Sequence, residues 1–169
     1  MRLIKFIIIG SLILFSLLTG IGLLMPSSVI VGRSIEINAP FDSVRFYTNN
    51  ITNWKYWIKG ADTAYFKQLT NSSTEKDSRF KLGSYTITVV DNETKYIITS
   101  WKSERGKEQI CKLELFLNGS SDIIVNWSFQ QQLSWYFWER LGAMLHDKVF
   151  GPGMEFSLNK LKQVCEKNN

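Results

Sequence analysis

The sequence contains one histidine, two cysteines and three prolines, and each scarcity removes a class of protein. A single imidazole, His146, excludes histidine-rich metal sites and leaves nucleophile–histidine chemistry with one candidate base. Cys111 and Cys165 are too few for a disulfide scaffold, and with one histidine they do not compose a zinc site. Neither metal nor cofactor is expected. Charge of one sign is also scarce. The chain carries +5 at pH 7, and Arg2 and Lys5 flank an N-terminal apolar run, which leaves +3 on the remainder. So small an excess is no nucleic-acid signature, and no nucleic-acid partner is expected.

What is present begins with that apolar run. Residues 6–25 carry no charge, and a helix of that length, rising 1.5 Å per residue, matches a hydrocarbon core of about 30 Å. A cleaved secretory signal is the competing reading, with small residues at Thr19-Gly20-Ile21-Gly22, but signal h-regions run to only about 7–15 residues. The length therefore favours an uncleaved anchor. Arg2 and Lys5 precede the run and Arg33 is the next basic residue, which places the N-terminus in the cytoplasm and the rest outside it. The expected organisation is a transmembrane helix over residues 1–25 and one domain over residues 26–169, tied closely to the bilayer by the short Pro26-Ser27-Ser28 linker.

The domain reads mostly as strands. Val29–Ile37 is rich in β-branched residues, Asn38-Ala39-Pro40 stops it, and Phe41–Asn49 is a short helix with Val44 and Tyr47 on one face. Ala64–Thr70, Phe80–Val90, Thr94–Lys102, Glu108–Leu117 and Asp122–Gln130 follow as strands. Asp91-Asn92 is a turn signal, and Asn118-Gly119 with Ser120 and Ser121 is a hairpin signal. Short connections imply antiparallel pairing. Ser134–Lys167 then reads as a long helical run broken only at Gly151-Pro152-Gly153. Trp138, Leu141 and Leu145, then Met154, Leu158, Leu161 and Cys165, recur along one stripe of it. That stripe requires a partner, and the strands offer a curved sheet to clasp it.

Several residues carry two readings. Cys111 alternates with Leu113 and Leu115, and Cys165 lies on the helix stripe; both read as core thiols, with a bridge between sheet and helix as the alternative. Glu114 alternates with apolar neighbours and points outward, so it is no catalytic acid. His146, beside Asp147, reads as helix surface. Thr52-Asn53-Trp54-Lys55-Tyr56-Trp57 reads as structural aromatics in preference to a pocket rim or a nucleic-acid platform. Trp135, Tyr136, Phe137 and Trp138 cannot all face inward from one helix: they either form a membrane-facing patch or pack against the first strand or the short helix.

The order strand, Asn-Ala-Pro, short helix, Trp-x-x-Trp in RSIEINAPFDSVRFYTNNITNWKYW resembles the opening of the START-like superfamily, also called SRPBCC or polyketide cyclase/dehydrase-like. GPGMEFSLNKLKQV resembles the final helix of bacterial members, and Ile124-Val125-Asn126-Trp127 fits their last strand. The chain departs from the pattern at Ser157, where a glycine commonly precedes Leu-x-x-Leu-Lys, and Gly83 is the clearest trace of the middle Gly-x-Gly pattern. The resemblance implies an α+β helix-grip fold, a bacterial inner-membrane setting, and a cavity between sheet and helix. Its expected occupant is a hydrophobic small molecule or lipid, with Tyr85, Trp101, Leu113, Leu115, Trp127, Phe129, Trp138 and Leu145 as candidate ligand-binding residues. No catalytic residue is assigned. A cyclase or dehydratase with Tyr85 steering a proton, and an interaction module whose interior is filled by aromatics, are the alternatives.

Overall fold

Alternating apolar residues make the strands of this chain two-faced, and the apolar face of the resulting sheet is covered by helices. The computed structural model describes residues 2–63, 65–104, 106–119 and 122–167. Helix α1 (Arg2–Leu24) comes first, then strand β1 (Ser28–Asn38), helix α2 (Phe41–Asn49) and a 3-10 turn (Ile51–Tyr56). Six more strands follow: β2 (Phe66–Gln68), β3 (Arg79–Leu82), β4 (Tyr85–Glu93), β5 (Tyr96–Ser103), β6 (Gln109–Asn118) and β7 (Asp122–Gln132). Helices α3 (Phe137–Ala143) and α4 (His146–Lys167) close the chain. The seven strands form one antiparallel sheet in the order β1-β7-β6-β5-β4-β3-β2. Helix α4 lies along β1 and also meets α2 and the 3-10 turn. This is the expected α+β helix-grip architecture. Helix α1 is long and apolar enough to cross a membrane.

The core lies between sheet and helices. Ile37, Ile87, Ile97, Leu113 and Val125 from the strands meet Val44 and Ile51 from the α2 region and Leu158, Leu161 and Cys165 from α4, all at 0–2% exposure. Each such aliphatic side chain contributes about 1.5–3 kcal/mol relative to an exposed one. Cys111 and Cys165 belong to this core as free thiols, so the alternative of a bridge is set aside. Glu114 points outward and pairs with Lys112 at 2.8 Å.

The tryptophan cluster has a specific structural task. The last turn of α2 leaves carbonyls without intrahelical donors, and the next segment supplies them from side chains. Asn53 Nδ2 donates to the Phe46 oxygen at 2.8 Å, Trp54 Nε1 to Thr48 at 2.7 Å and Trp57 Nε1 to Tyr47 at 2.9 Å. Both indoles are fully buried. The segment is a C-terminal cap that also fills core volume.

Three boundaries differ from the sequence reading. Phe80–Val90 is two strands, because Gly83 takes φ of +58° and Leu82 pairs with Tyr85 around a two-residue hairpin, the geometry a glycine-first II′ turn provides. Asp91-Asn92 is no turn: β4 runs on to Glu93 past a bulge between Val89 and Asp91. The polar side chains there fasten neighbours, with Asn92 Nδ2 donating to the oxygens of Asn49 at 3.0 Å and Thr74 at 2.8 Å. The break in the C-terminal helical run falls at Met144–Leu145, and Pro152 sits inside α4. Ala64, which opened one expected strand, and Ser120 and Ser121 of the expected hairpin lie outside the described residues.

Candidate functional site

One end of the sheet is not filled by the helices. Between the β3–β4 hairpin, the loop at Ile58–Thr63, the ends of β5 to β7 and the first half of α4 is a cavity of about 560 Å³, within the range of small-molecule sites. Its wall is an aromatic series. Trp101 stacks on Trp54 with centroids 6.1 Å apart and meets Phe129 edge-on at 5.2 Å; Phe129 meets Trp127 at 5.3 Å and stacks on Phe150 of α4 at 6.4 Å. Tyr85 leans on Trp101 from the hairpin side at 6.0 Å. The rings support one another and leave the interior open.

Of the residues expected to line the cavity, Tyr85, Trp101, Trp127 and Phe129 do so. Strand alternation brings Trp127 and Phe129 to the inner face, and the β5–β6 register sets Trp101 opposite Gln109. Leu113 and Leu115 share that face but lie further along β6, where they are sealed in the core at 0% and 2% exposure. Trp138 and Leu145 are 61% and 56% exposed and lie away from the cavity. The stripe that joined them to Met154 assumed one continuous helix, whereas the chain breaks between α3 and α4.

Gly60, Gly83 and Gly153 and the loop before β2 also line the cavity, and sequence patterning does not place that loop there. Gly153, on α4, lines the cavity, and a β-carbon added there would meet nothing within 4 Å. Ser157, one turn on, is 1% exposed; its Oγ donates to the Gly153 oxygen at 2.8 Å and accepts from the Lys59 amide at 3.0 Å. That pair of bonds ties α4 to the loop forming the opposite lip. The departure at Ser157 was the available signal.

Polar groups on the wall are few. Gln109 is 9% exposed and donates through Nε2 to Gln131 Oε1 at 2.8 Å, and Tyr85, Ser84 and Thr63 also line the cavity. Among the described residues, Lys59 is the only ionisable side chain on the wall other than the tyrosines Tyr65 and Tyr85; no carboxylate, imidazole or thiol lines it. Such a site can desolvate an apolar body and orient one polar end of it. Its ionisable groups are the Lys59 amine and the hydroxyls of Tyr65 and Tyr85.

No family model and no curated protein matches the chain significantly; the likeness is to solved structures. A START superfamily protein from Mycobacterium smegmatis superposes with a TM-score of 0.61 at 14% identity, over 83% of this chain and 99% of that one. Norcoclaurine synthase from Thalictrum flavum, solved with dopamine and hydroxybenzaldehyde, gives 0.64 at 8% identity, over 88% and 92%. A Thermobifida fusca protein gives 0.64 at 15% identity, over 79% and 91%. At such identities the shared property is architecture, and that architecture is the START-like, or SRPBCC, helix-grip fold.

Proposed function

We propose that this chain is a membrane-tethered binding or carrier domain that takes a hydrophobic small molecule or a single-chain lipid into the cavity between the sheet and α4. The observation that carries the reading is a wall of aromatic rings around about 560 Å³ of unfilled space, on which no carboxylate, imidazole or thiol stands among the described residues. Tyr85, Trp101, Trp127 and Phe129 are the proposed contacts, joined by Phe150, with the Tyr85 hydroxyl and the Gln109 amide holding a polar end. Binding rests on apolar area, at about 25 cal/mol per Å² before association costs. The volume suits one acyl chain or a small polycyclic body better than a whole diacyl lipid.

The likeness to norcoclaurine synthase keeps a cyclase or dehydratase in view as a second reading. Proton transfer by Tyr85 needs a partner base, and Lys59, whose Nζ lies 5.8 Å from the Phe156 ring centre, is the candidate the wall supplies. In the proposed arrangement α1 spans the inner membrane of a bacterium, its N-terminus cytoplasmic beside Arg2 and Lys5, with the domain over residues 26–169 outside.

The test is native mass spectrometry of the full chain purified in mild detergent, with solvent extraction of what accompanies it, for the parent and for Gly153→Leu. The added side chain enters open space and replaces glycine within a helix, so the fold is retained while the cavity fills. An apolar adduct on the parent that is absent from the variant supports the carrier. Identical spectra for the two proteins overturn it.

A further inference from the structure

Helix α3 packs on the end of α1 and is fastened to it. Arg140, 8% exposed, donates through Nη1 to the carbonyl oxygens of Gly22 and Met25, both at 2.7 Å, and through Nε to Ser134 at 2.9 Å. The C-terminal end of α1 thus receives a cation at its last carbonyls, where the dipole favours one. The contact is close: a β-carbon on Gly22 would stand 3.1 Å from the Phe137 Cα. Helix α1 has 23 residues and so a length of about 34 Å, which puts Gly22 to Met25 at the far edge of a hydrocarbon core of about 30 Å. Whatever is bolted to that edge sits at the membrane–water boundary.

The groups bolted there are apolar and aromatic. Trp138, Leu141, Met144 and Leu145 are 49–68% exposed, and Trp135 is 46% exposed. Tryptophan and tyrosine favour the headgroup level, where an apolar ring and a polar edge are both accommodated. The ridge continues to the cavity: Val149, 69% exposed, borders the opening beside Phe150.

We propose that α3 and the α3–α4 junction seat as a ridge in the headgroup region of the phospholipid bilayer that α1 crosses, so that the rim at Val149 opens toward the leaflet and an apolar ligand enters from the membrane. The proposal rests on α1 being a span, and its test separates the two. Cysteines are placed singly at Leu141 and Met144 on the ridge, at Leu14 in α1 and at Phe116 on the sheet as an aqueous control. Each full-length variant is spin-labelled and reconstituted in phosphatidylcholine–phosphatidylglycerol vesicles; the buried native thiols stay unlabelled. Collision with oxygen and with a water-soluble nickel chelate then reports depth. The expected result is a several-fold lower nickel-chelate accessibility at 141 and 144 than at 116, with position 14 deeper still. Aqueous values at 141 and 144 with position 14 in the hydrocarbon overturn the ridge and leave the span. Aqueous values at position 14 overturn both. Spin–spin broadening at 141 and 144 that grows with protein density assigns the ridge to a second copy and also overturns the proposal.

Discussion

Arg33 lays its guanidinium across Gly151: a β-carbon built on that glycine would stand 2.3 Å from Nη2. The guanidinium bridges β1 to α4 by pairing with Asp147 at 2.7 Å and with Glu155 at 2.8 Å. Asp147, Gly151 and Glu155 are four residues apart, so they share one helix face, and the middle position must be bare for the planar group to reach both carboxylates.

This contact makes one helix substitution depend on a strand residue. Gly151→Ala should gain about 1 kcal/mol of helix propensity when Arg33 is already alanine. In the parent the gain should be offset, because the new methyl displaces the guanidinium from its partners. Urea unfolding of the four proteins in a double-mutant cycle measures the difference. Equal gains in both backgrounds would show that Arg33 and Gly151 are uncoupled.

Acid should weaken the domain through two named carboxylates. The hydrogen bond from Arg33 holds Asp147 below its usual value, against a smaller desolvation effect. For Glu139 burial acts upward, but the bonds with Lys107 and Ser134 outweigh it and the carboxyl is again lowered. With folded values below unfolded ones, the unfolded chain binds more protons in the interval between them, so stability rises with pH there. The contribution is complete above the unfolded values near pH 4 and is lost as pH falls through the folded ones. Asp147→Asn and Glu139→Gln should each flatten unfolding midpoints measured between about pH 5 and pH 3, and salt should shrink the exposed Asp147 effect more. A parent midpoint unchanged over that range would contradict the assignment.

Both thiols should be inert in the folded protein. Burial pushes Cys111 and Cys165 up to about 12, in Cys111 against the lowering effect of the bond its Sγ accepts from Trp127 Nε1 at 3.0 Å. At pH 8 only about one thiol in ten thousand is ionised at such a value, and the thiolate is the reactive form. Ellman's reagent should therefore find no thiol in native protein and two after unfolding in urea. Fast native labelling of Cys165 would show that the α4 end opens.

The strands, the short helix and the inward Trp127 and Phe129 were legible because period-two alternation reports a half-buried sheet directly. The course of the C-terminal run was not. Trp138, Leu141 and Leu145 continue the periodic stripe of α4, and nothing local distinguishes a helix that folds onto the sheet from one that turns away. What separates them is Arg140 binding the carbonyls of Gly22 and Met25, more than a hundred residues earlier in the chain. Pro152 pointed to a break for a sound local reason, its missing donor, and α4 nonetheless continues through it. The extent of the cavity wall was likewise set by tertiary placement: the inner face of β6 runs from cavity at Gln109 to sealed core at Leu113 and Leu115.

Ser157 decides whether the lip of the cavity is held. Its hydroxyl bonds the Gly153 oxygen and the Lys59 amide at once, so Ser157→Ala should cost about 1 kcal/mol. Ser157→Gly should cost about 1 kcal/mol more, the penalty of glycine in a helix. The two substitutions lose the same bonds and differ in backbone freedom. If the hydroxyl anchors the 58–60 loop, amide exchange at Lys59 should accelerate equally in both variants while their global stabilities differ. If Lys59 exchange follows global stability instead, the loop is held by packing, and the bonds from Ser157 are incidental to the cavity rim.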